Sequence, residues 1–306
     1  MPDTQSNRHP SPHMLAASLP RTLPDARIRY AEESPVQFAD LRMPKTTPPP
    51  SGFPVVVFVH GGGWLSDWTK DYSTPFVERL TEAGFVTWDI EFRRMGNRNG
   101  GYPETFCDVG KATDYLREVA KSYPLDLNKI VGMGHSTGGH LALWLAGRRN
   151  LQPGDPLFVP NSLPLKGVIS IGGVNDLEHS LEFGGRTDIL QLLGAESAVI
   201  ASQLFAFTSP ARLLPFRIPQ VLILGSLEDS WRKDMTYAYA ETARQSGETV
   251  KLVEPEGMDH FDVVDPLSSA LPLIAQEVRA MSSTIERTTT QSQGRNKSNA
   301  FHLPPN

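Results

Sequence analysis

The chain has 306 residues, of which 29 are Lys or Arg and 34 are Asp or Glu, which gives a net charge of −5. This acidic balance, without any block of basic residues, argues against a nucleic-acid partner. The single cysteine, Cys107, excludes an internal disulfide framework and a CxxC metal or redox site. No apolar run reaches the roughly 18 residues that cross a bilayer, and the first residues lack the apolar core of a signal peptide. We therefore expect a cytoplasmic protein without a membrane span.

The two ends of the chain differ in composition from its middle. Residues 1–26 hold five prolines and no periodic pattern, and residues 282–306 are polar and rich in Ser and Thr. Segments of this kind bury too little apolar surface to become ordered on their own. The sequence thus predicts disordered tails at 1–26 and 282–306 around one domain at 27–281.

Strands and helices alternate through that domain. Short strands are predicted at 28–30 and 37–43, and the run PVVVFVH at 54–60 is typical of a strand buried on both faces. The later predicted elements, in chain order, are helix 72–83, strand 85–92, helix 104–122, strand 129–133, helix 137–148, strands 167–171 and 220–224, helix 235–245, strand 249–253 and helix 270–281. This alternation predicts an α/β fold with a mainly parallel central sheet and helices on both faces. Segments 150–165 and 176–215 interrupt it, and we expect them to form a small cap.

A glycine-rich loop follows the strand predicted at 54–60. Residues 60–64 read HGGGW, and backbone amides in such a loop can stabilise the oxyanion of a tetrahedral intermediate in acyl transfer. The loop lacks the Lys-Ser/Thr pair of a phosphate-binding P-loop and the spacing of a dinucleotide-binding loop. The pattern therefore favours acyl-transfer chemistry over phosphate binding.

A second glycine pattern lies between a predicted strand and a predicted helix. Residues 134–138 read GHSTG and match G-x-S-x-G. A sharp turn at this place sets the Ser136 hydroxyl at a helix N-terminus, and side chains two residues to either side would collide. The pattern predicts that Ser136 is a nucleophile.

A nucleophilic serine needs a base, and the base needs an acid that orients it. With this kind of turn the chain order is serine, acid, histidine, and four histidines follow the serine. His140 lies in the helix of the nucleophile itself, His302 lies in the predicted tail, and His179 lies in an insertion with no strand before it. His260 follows a strand and a loop, and it is the predicted base.

The acid is predicted in the segment LILGSLEDSW at 222–231. It contains a buried strand, a glycine turn and two adjacent carboxylates, Glu228 and Asp229. Residue type and spacing leave both open, with Asp262 as the next candidate.

Three segments together, HGGGW, GHSTGGHLALWLAG and DHFDVVDP, resemble the α/β-hydrolase superfamily. The resemblance covers nearly all of the predicted domain and is nearest to hormone-sensitive-lipase-like esterases and the kynurenine formamidase-like branch. It implies an α/β-hydrolase fold and an oxyanion hole made by the amides of Gly62, Gly63 and Thr137. It favours Glu228 slightly, because relatives usually carry the acid three residues after the strand's glycine, but Asp is the commoner residue type and keeps Asp229 open.

These observations predict a serine hydrolase that uses no metal or cofactor and cleaves a small carboxylic ester. Three alternatives stay open: an arylformamidase acting on N-formylkynurenine-type amides, an acyl-transfer or elimination enzyme, and a non-catalytic ligand-binding protein of the same fold. Trp64 and Trp231, beside the catalytic segments, are candidates for an aromatic substrate pocket. The expected partner is a small-molecule ester or amide, and the sequence does not specify an oligomeric state.

Overall fold

The centre of the fold is one eight-stranded sheet, seen in a computed structural model that describes residues 22–267 and 269–294, with side chains described as far as residue 282. Its strands are β1 Ala26–Arg29, β2 Phe38–Arg42, β3 Phe53–Val59, β4 Val86–Glu91, β5 Leu125–His135, β6 Gly167–Ile171, β7 Gln220–Ile223 and β8 Val250–Val253. Their order across the sheet is β1-β2-β4-β3-β5-β6-β7-β8. The pairs β1–β2 and β2–β4 are antiparallel, and every other neighbouring pair is parallel. The predicted mainly parallel sheet is confirmed.

Helices cover both faces of the sheet. In the described residues they are α1 Thr74–Glu82, α2 Glu104–Asp114, α3 Leu116–Val119, α4 Thr137–Gly147, α5 Leu177–Glu182, α6 Asp188–Leu193, α7 Ala198–Thr208, α8 Ser230–Gln245 and α9 Ala270–Gly294. Helices α1 and α9 pack on one face, through residues such as Phe76 and Ile274. Helices α2, α4 and α8 pack on the other, through Phe106, Leu141 and Tyr239. Short 3-10 turns lie at Lys70–Tyr72, Arg148–Asn150, Pro210–Leu213 and Asp262–Val264.

Strand β3 shows why its sequence lacks an apolar–polar alternation. Val55, Val57 and Val59 contribute to the core on one face of the sheet, and Val56 and Phe58 contribute to the core on the other. All five side chains are fully buried. Because both faces are covered by helices, every position of the strand is apolar, as its sequence predicted.

Two predicted helices have different limits in the structure. The helix predicted at 104–122 is divided into α2 and α3, and the Thr113 hydroxyl near the division donates to the carbonyl of Val109 at 2.8 Å. Such a side-chain bond competes with the helical backbone pattern and bends helices. The last helix continues to Gly294, beyond the end predicted at Met281.

The two segments predicted to form a cap lie in different places. In segment 150–165, the Leu163 amide donates to Asp114 at 2.6 Å, at the far end of α2 from the carboxyl ends of the strands. Helix α4, which precedes this segment, carries the chain from Ser136 back to the amino edge of the sheet, so the segment lies at that edge. We therefore correct the prediction that segment 150–165 belongs to a cap. Segment 176–215 forms α5, α6 and α7, and its role as a cap stays a prediction.

Parts of the predicted tails cannot be compared with the structure. Residues 1–21 and 295–306 lie outside the described residues, so the disorder expected there stays a prediction. Among the helices of the described part, none has the length and hydropathy needed to span a membrane.

Candidate active site

The segments predicted to carry chemistry all leave the sheet at its carboxyl edge. The HGGGW loop at 60–64 follows β3, Ser136 follows β5, Glu228 follows β7 and His260 follows β8. Because these four strands are mutually parallel, their carboxyl ends lie at one edge, where open α/β sheets place their sites.

Ser136 occupies a strained turn between β5 and α4. Its φ of 55° and ψ of −125° lie where residues with a side chain are rarely found. A Cβ on Gly134 would lie 2.1 Å from the carbonyl oxygen of Gly138, and a Cβ on Gly138 would lie 2.0 Å from the carbonyl oxygen of Val59. Both glycines of the motif are thus required by close backbone contacts. Strain of this kind costs about 1–3 kcal/mol and persists only where neighbouring contacts hold it.

The turn is anchored to the next strand and opens onto a helix end. The Ser136 amide donates to the carbonyl of Ile171, the last residue of β6, at 2.8 Å. Thr137 is the first residue of α4, so its amide has no acceptor within the helix. The positive end of the helix dipole also lies here and favours negative charge beside Ser136.

The HGGGW loop lies against this turn. The Trp64 amide donates to the Thr137 hydroxyl at 3.3 Å. Gly62 and Gly63 have φ of 107° and 66°, and a Cβ on Gly62 would lie 2.1 Å from the Cβ of Trp68. Within the described residues, neither glycine amide donates to a backbone acceptor. Both amides are therefore without a backbone acceptor in this part of the structure.

His260 pairs with one of the two candidate acids. Its Nδ1 donates to Glu228 Oε2 at 2.6 Å, and the Glu228 side chain is only 1% exposed. Asp229 is exposed, and its amide donates to the other Glu228 oxygen at 3.2 Å. Of the two adjacent carboxylates, Glu228 is the one that contacts the imidazole.

The environment sets the charge of this pair. Burial alone would raise the pKa of Glu228, but the hydrogen bond from His260 and the charges of His260 and Arg232 bring that pKa below its ordinary value. Burial, together with the charge of Arg232, lowers the pKa of His260 below its ordinary 6.5, although Glu228 opposes the shift. At neutral pH the imidazole is therefore neutral, and with the Nδ1 proton bonded to Glu228 its Nε2 carries the lone pair that can accept a proton.

The backbone after β6 joins this pair to the serine turn. A Cβ on Gly172 would lie 3.0 Å from His260 Nδ1 and 3.2 Å from Glu228 Oε2. The preceding residue, Ile171, accepts the Ser136 amide. The predicted nucleophile, base and acid thus all lie next to the backbone of Ile171 and Gly172.

The other histidines have different surroundings. His140 is fully buried, accepts from Trp64 Nε1 at 3.3 Å and donates to the Thr208 carbonyl at 2.9 Å. Burial lowers the pKa of His140 to about 4. His179 lies on α5 with its ring against Phe183. His302 lies outside the described residues.

The two tryptophans share a neighbour that the sequence did not indicate. Trp64 is 1% exposed and Trp231 is partly buried. The Arg186 guanidinium lies over both rings, 5.4 Å from the centre of Trp64 and 5.1 Å from that of Trp231. Nothing in the sequence relates Arg186 to residues so far away in the chain. A role for the two rings as pocket walls stays a prediction.

Comparison with known proteins identifies the family. Residues 39–232 match the family model BD-FAE. The chain belongs to the BD-FAE family. In the described residues of this member no group of three or more His, Cys, Asp or Glu side chains is placed to hold a metal ion.

Several curated relatives of this BD-FAE protein are named as esterases. A probable isoprenylcysteine alpha-carbonyl methylesterase of Oryza sativa subsp. japonica is 26% identical over 80% of this chain and 61% of its own length. Esterase LipC of Mycobacterium tuberculosis is 26% identical over 82% of this chain and 64% of its own length. The chain thus spans less than two thirds of the length of these relatives.

Solved structures match the fold over most of the chain. Esterase B from Lactobacillus rhamnosis superposes with a TM-score of 0.77 at 16% identity, covering 92% of this chain and 94% of its own. Esterase Est2 from Thermogutta terrifontis superposes with a TM-score of 0.67 at 22% identity, covering 84% and 94%. These matches confirm the predicted α/β-hydrolase fold.

Proposed function

We propose that this BD-FAE protein is a serine hydrolase of carboxylic esters, with Ser136 as nucleophile, His260 as general base and Glu228 as the acid. The observation that carries the proposal is the 2.6 Å hydrogen bond between His260 and a buried Glu228, beside a serine held at positive φ. A buried carboxylate on Nδ1 leaves Nε2 able to take the serine proton, which is the arrangement acyl transfer requires.

The reaction follows from these groups. Ser136 Oγ attacks the ester carbonyl while His260 Nε2 takes its proton, and Glu228 stabilises the imidazolium that forms. The amides of Gly62, Gly63 and Thr137 donate to the oxyanion of the tetrahedral intermediate. His260 then returns the proton to the departing alkoxide, leaving an acyl-serine. Water, deprotonated by His260, attacks the acyl-serine and releases the acid and the free enzyme.

The proposed substrate is a small-molecule carboxylic ester. The names of the relatives support this class, because a methylesterase and an esterase both cleave ester bonds. The same groups would cleave an amide only if His260 protonated the nitrogen of the leaving amine, since an amine leaves less readily than an alkoxide. An N-formyl aromatic amide is therefore the informative competing substrate.

The test is Ser136→Ala, assayed on a short-chain aryl ester and on an N-formyl aromatic amide. We expect kcat to fall by about 10³–10⁶-fold, because loss of one triad member costs nearly as much as loss of all. A fluorophosphonate should label the wild type at Ser136 and leave Ser136→Ala unlabelled.

Ser246→Ala is the matched control, since that hydroxyl donates to the Ala243 carbonyl at 2.7 Å at the opposite edge of the sheet. It should keep wild-type turnover. A Ser136→Ala protein with a tenth of wild-type turnover would contradict the proposal.

A further inference from the structure

A chain of three hydrogen bonds, two of them buried, joins the HGGGW loop, the end of β5 and the loop that carries His260. The Gly61 amide donates to the Tyr72 hydroxyl at 2.8 Å. That hydroxyl lies 2.8 Å from His135 Nδ1, and His135 Nε2 lies 2.8 Å from the carbonyl oxygen of His260. Gly61 belongs to the HGGGW loop, His135 precedes the serine, and His260 is the proposed base.

The proton positions along this chain are fixed by its two ends. An amide can only donate and a carbonyl can only accept, so the Tyr72 hydroxyl accepts from Gly61 and donates to His135 Nδ1. His135 must then carry its proton on Nε2 and donate it to the His260 carbonyl. Burial and the nearby charge of His260 hold the pKa of His135 well below its ordinary value, so the ring stays neutral and keeps this tautomer.

The contacts around this chain leave little freedom. A Cβ on Gly61 would lie 2.6 Å from the His135 carbonyl oxygen and 2.8 Å from the Ser136 Cβ. The His135 ring is 4.6 Å from the His260 ring, centre to centre, and 5.8 Å from the Tyr72 ring. Since Tyr72 and His135 are fully or almost fully buried, an unpaired polar atom here would be costly.

We infer that Tyr72 and His135 are positioning residues that set the oxyanion loop and the His260 loop relative to Ser136. The inference rests on the proposed function. It is carried by the continuity of the three bonds: β3 and β8, whose loops the chain joins, are separated in the sheet by β5, β6 and β7. The stacked rings of Trp68 and Phe261, with centres 6.1 Å apart, also join these two loops, but the hydrogen-bonded chain is the link that passes through the residue next to Ser136.

The decisive variant is Tyr72→Phe, which removes the acceptor for Gly61 and the donor to His135 while keeping the ring. We expect kcat to fall about 10- to 100-fold with KM within threefold, because a small misplacement of catalytic groups affects the transition state more than substrate binding. The affinity for a trifluoromethyl ketone, which forms an oxyanion with the serine, should fall in parallel with kcat/KM.

Tyr239→Phe is the matched control. Tyr239 is also buried, and its hydroxyl donates to Gln220 Oε1 at 2.8 Å. Gln220 is the first residue of β7, so this bond lies at the amino edge of the sheet, away from the proposed site. It should lose stability to a similar degree and keep kcat within twofold. If Tyr72→Phe also kept kcat and analogue affinity within twofold of wild type, the positioning role would be overturned.

Two variants of His135 interrupt the chain at opposite ends. His135→Asn keeps an acceptor towards Tyr72 and loses the donor to His260, whereas His135→Gln keeps a donor that reaches the His260 carbonyl and loses the acceptor. Both His135 variants should lower kcat. The double variant His135→Gln with Tyr72→Phe should have a kcat little lower than that of either single variant, since these two changes break the same hydrogen bond. Fully multiplicative losses in kcat would contradict the inference, and the two His135 variants decide it if Tyr72→Phe does not fold.

Failure of the inference and failure of the proposed function are distinguishable. A wild type that a fluorophosphonate labels at Ser136, together with an unaffected Tyr72→Phe, refutes only the positioning role. A folded wild type that is neither labelled nor active on esters refutes the proposed function, and the positioning role with it.

Discussion

Replacing Glu228 by Gln should change the tautomer of His260. Glu228 Oε1 receives the Asp229 amide at 3.2 Å and lies 3.2 Å from Arg232 Nε, while Oε2 accepts from His260 at 2.6 Å. Because the Asp229 amide donates to the Oε1 position and the Arg232 charge lies beside it, the oxygen of a glutamine amide is favoured there over its NH₂ group. The NH₂ group is then placed against His260 Nδ1, which can no longer carry its proton there.

The consequence for catalysis is large. With its proton moved to Nε2, His260 presents a donor to Ser136 and cannot accept the serine proton. A change of this kind at a triad acid lowers kcat by about 10⁴-fold, or roughly 5.4 kcal/mol of transition-state stabilisation. The variant should also lose stability, because Arg232, with a side chain 7% exposed, keeps its charge without its carboxylate partner.

The assay is kcat/KM for a short-chain aryl ester, measured well below the Tm of each variant so that lost stability does not appear as lost activity. Asp229→Asn is the control, since Asp229 is the exposed neighbour on the same loop, and it should lose only a small factor. The reasoning is refuted if Glu228→Gln keeps a tenth of wild-type activity. If neither variant loses more than tenfold, the acid lies elsewhere, with Asp262 as the next residue to replace.

Two further predictions concern the same edge of the sheet. Burial and the charge of Arg232 hold the pKa of His260 low, and activity is lost as pH falls through that pKa. Arg232→Met should therefore raise the pKa of His260 and move the acid limb of a kcat/KM profile to higher pH. An acid limb that stays in place or moves to lower pH would contradict this account. Gly138→Ala should destabilise the protein by about 1–3 kcal/mol or more in urea unfolding, because the new methyl lies 2.0 Å from the Val59 carbonyl oxygen. Gly110→Ala, in α2, is its control and should cost less, since the nearest atom to the methyl there is Arg148 Nη1, at 2.9 Å, the far end of a flexible side chain.

The fold could be predicted from sequence because its signals are local. The β3 segment is apolar at every position, and the glycines at 134 and 138 are required within a few residues of Ser136. The helices of segment 176–215 were not predicted, because their local sequence signals are weak. Helices α5 and α6 have six residues each, too few to show a helical period, and α7 reads AVIASQLFAFT, with apolar residues on more than one side.

The choice of Glu228 as the proposed acid, and the residues proposed to position His260, could not be predicted in this way. Glu228 and Asp229 are adjacent, and the choice depends on the turn before α8, which places Asp229 at the N-cap and in solvent and turns the longer Glu228 inwards. Tyr72 and His135 are 63 residues apart and share no sequence pattern. Their contact becomes visible only when the 3-10 turn before α1, which contains Tyr72, is seen packed on the edge of the sheet. His135 occupies a position in G-x-S-x-G that the motif leaves unspecified.

The strained serine and its partners are held by bonds that do not involve the substrate. The positive φ of Ser136 persists because its amide is fixed by Ile171 and because Gly138 lies against β3. Each of these contacts is to a backbone atom at the edge of the sheet, so the position of the proposed nucleophile is set by the same interactions that form the sheet. Segment 176–215 contacts the two tryptophans beside the proposed catalytic residues, because the Arg186 guanidinium lies over the faces of Trp64 and Trp231. We therefore expect changes in that segment to alter which esters are accepted while the His260–Glu228 pair keeps its geometry.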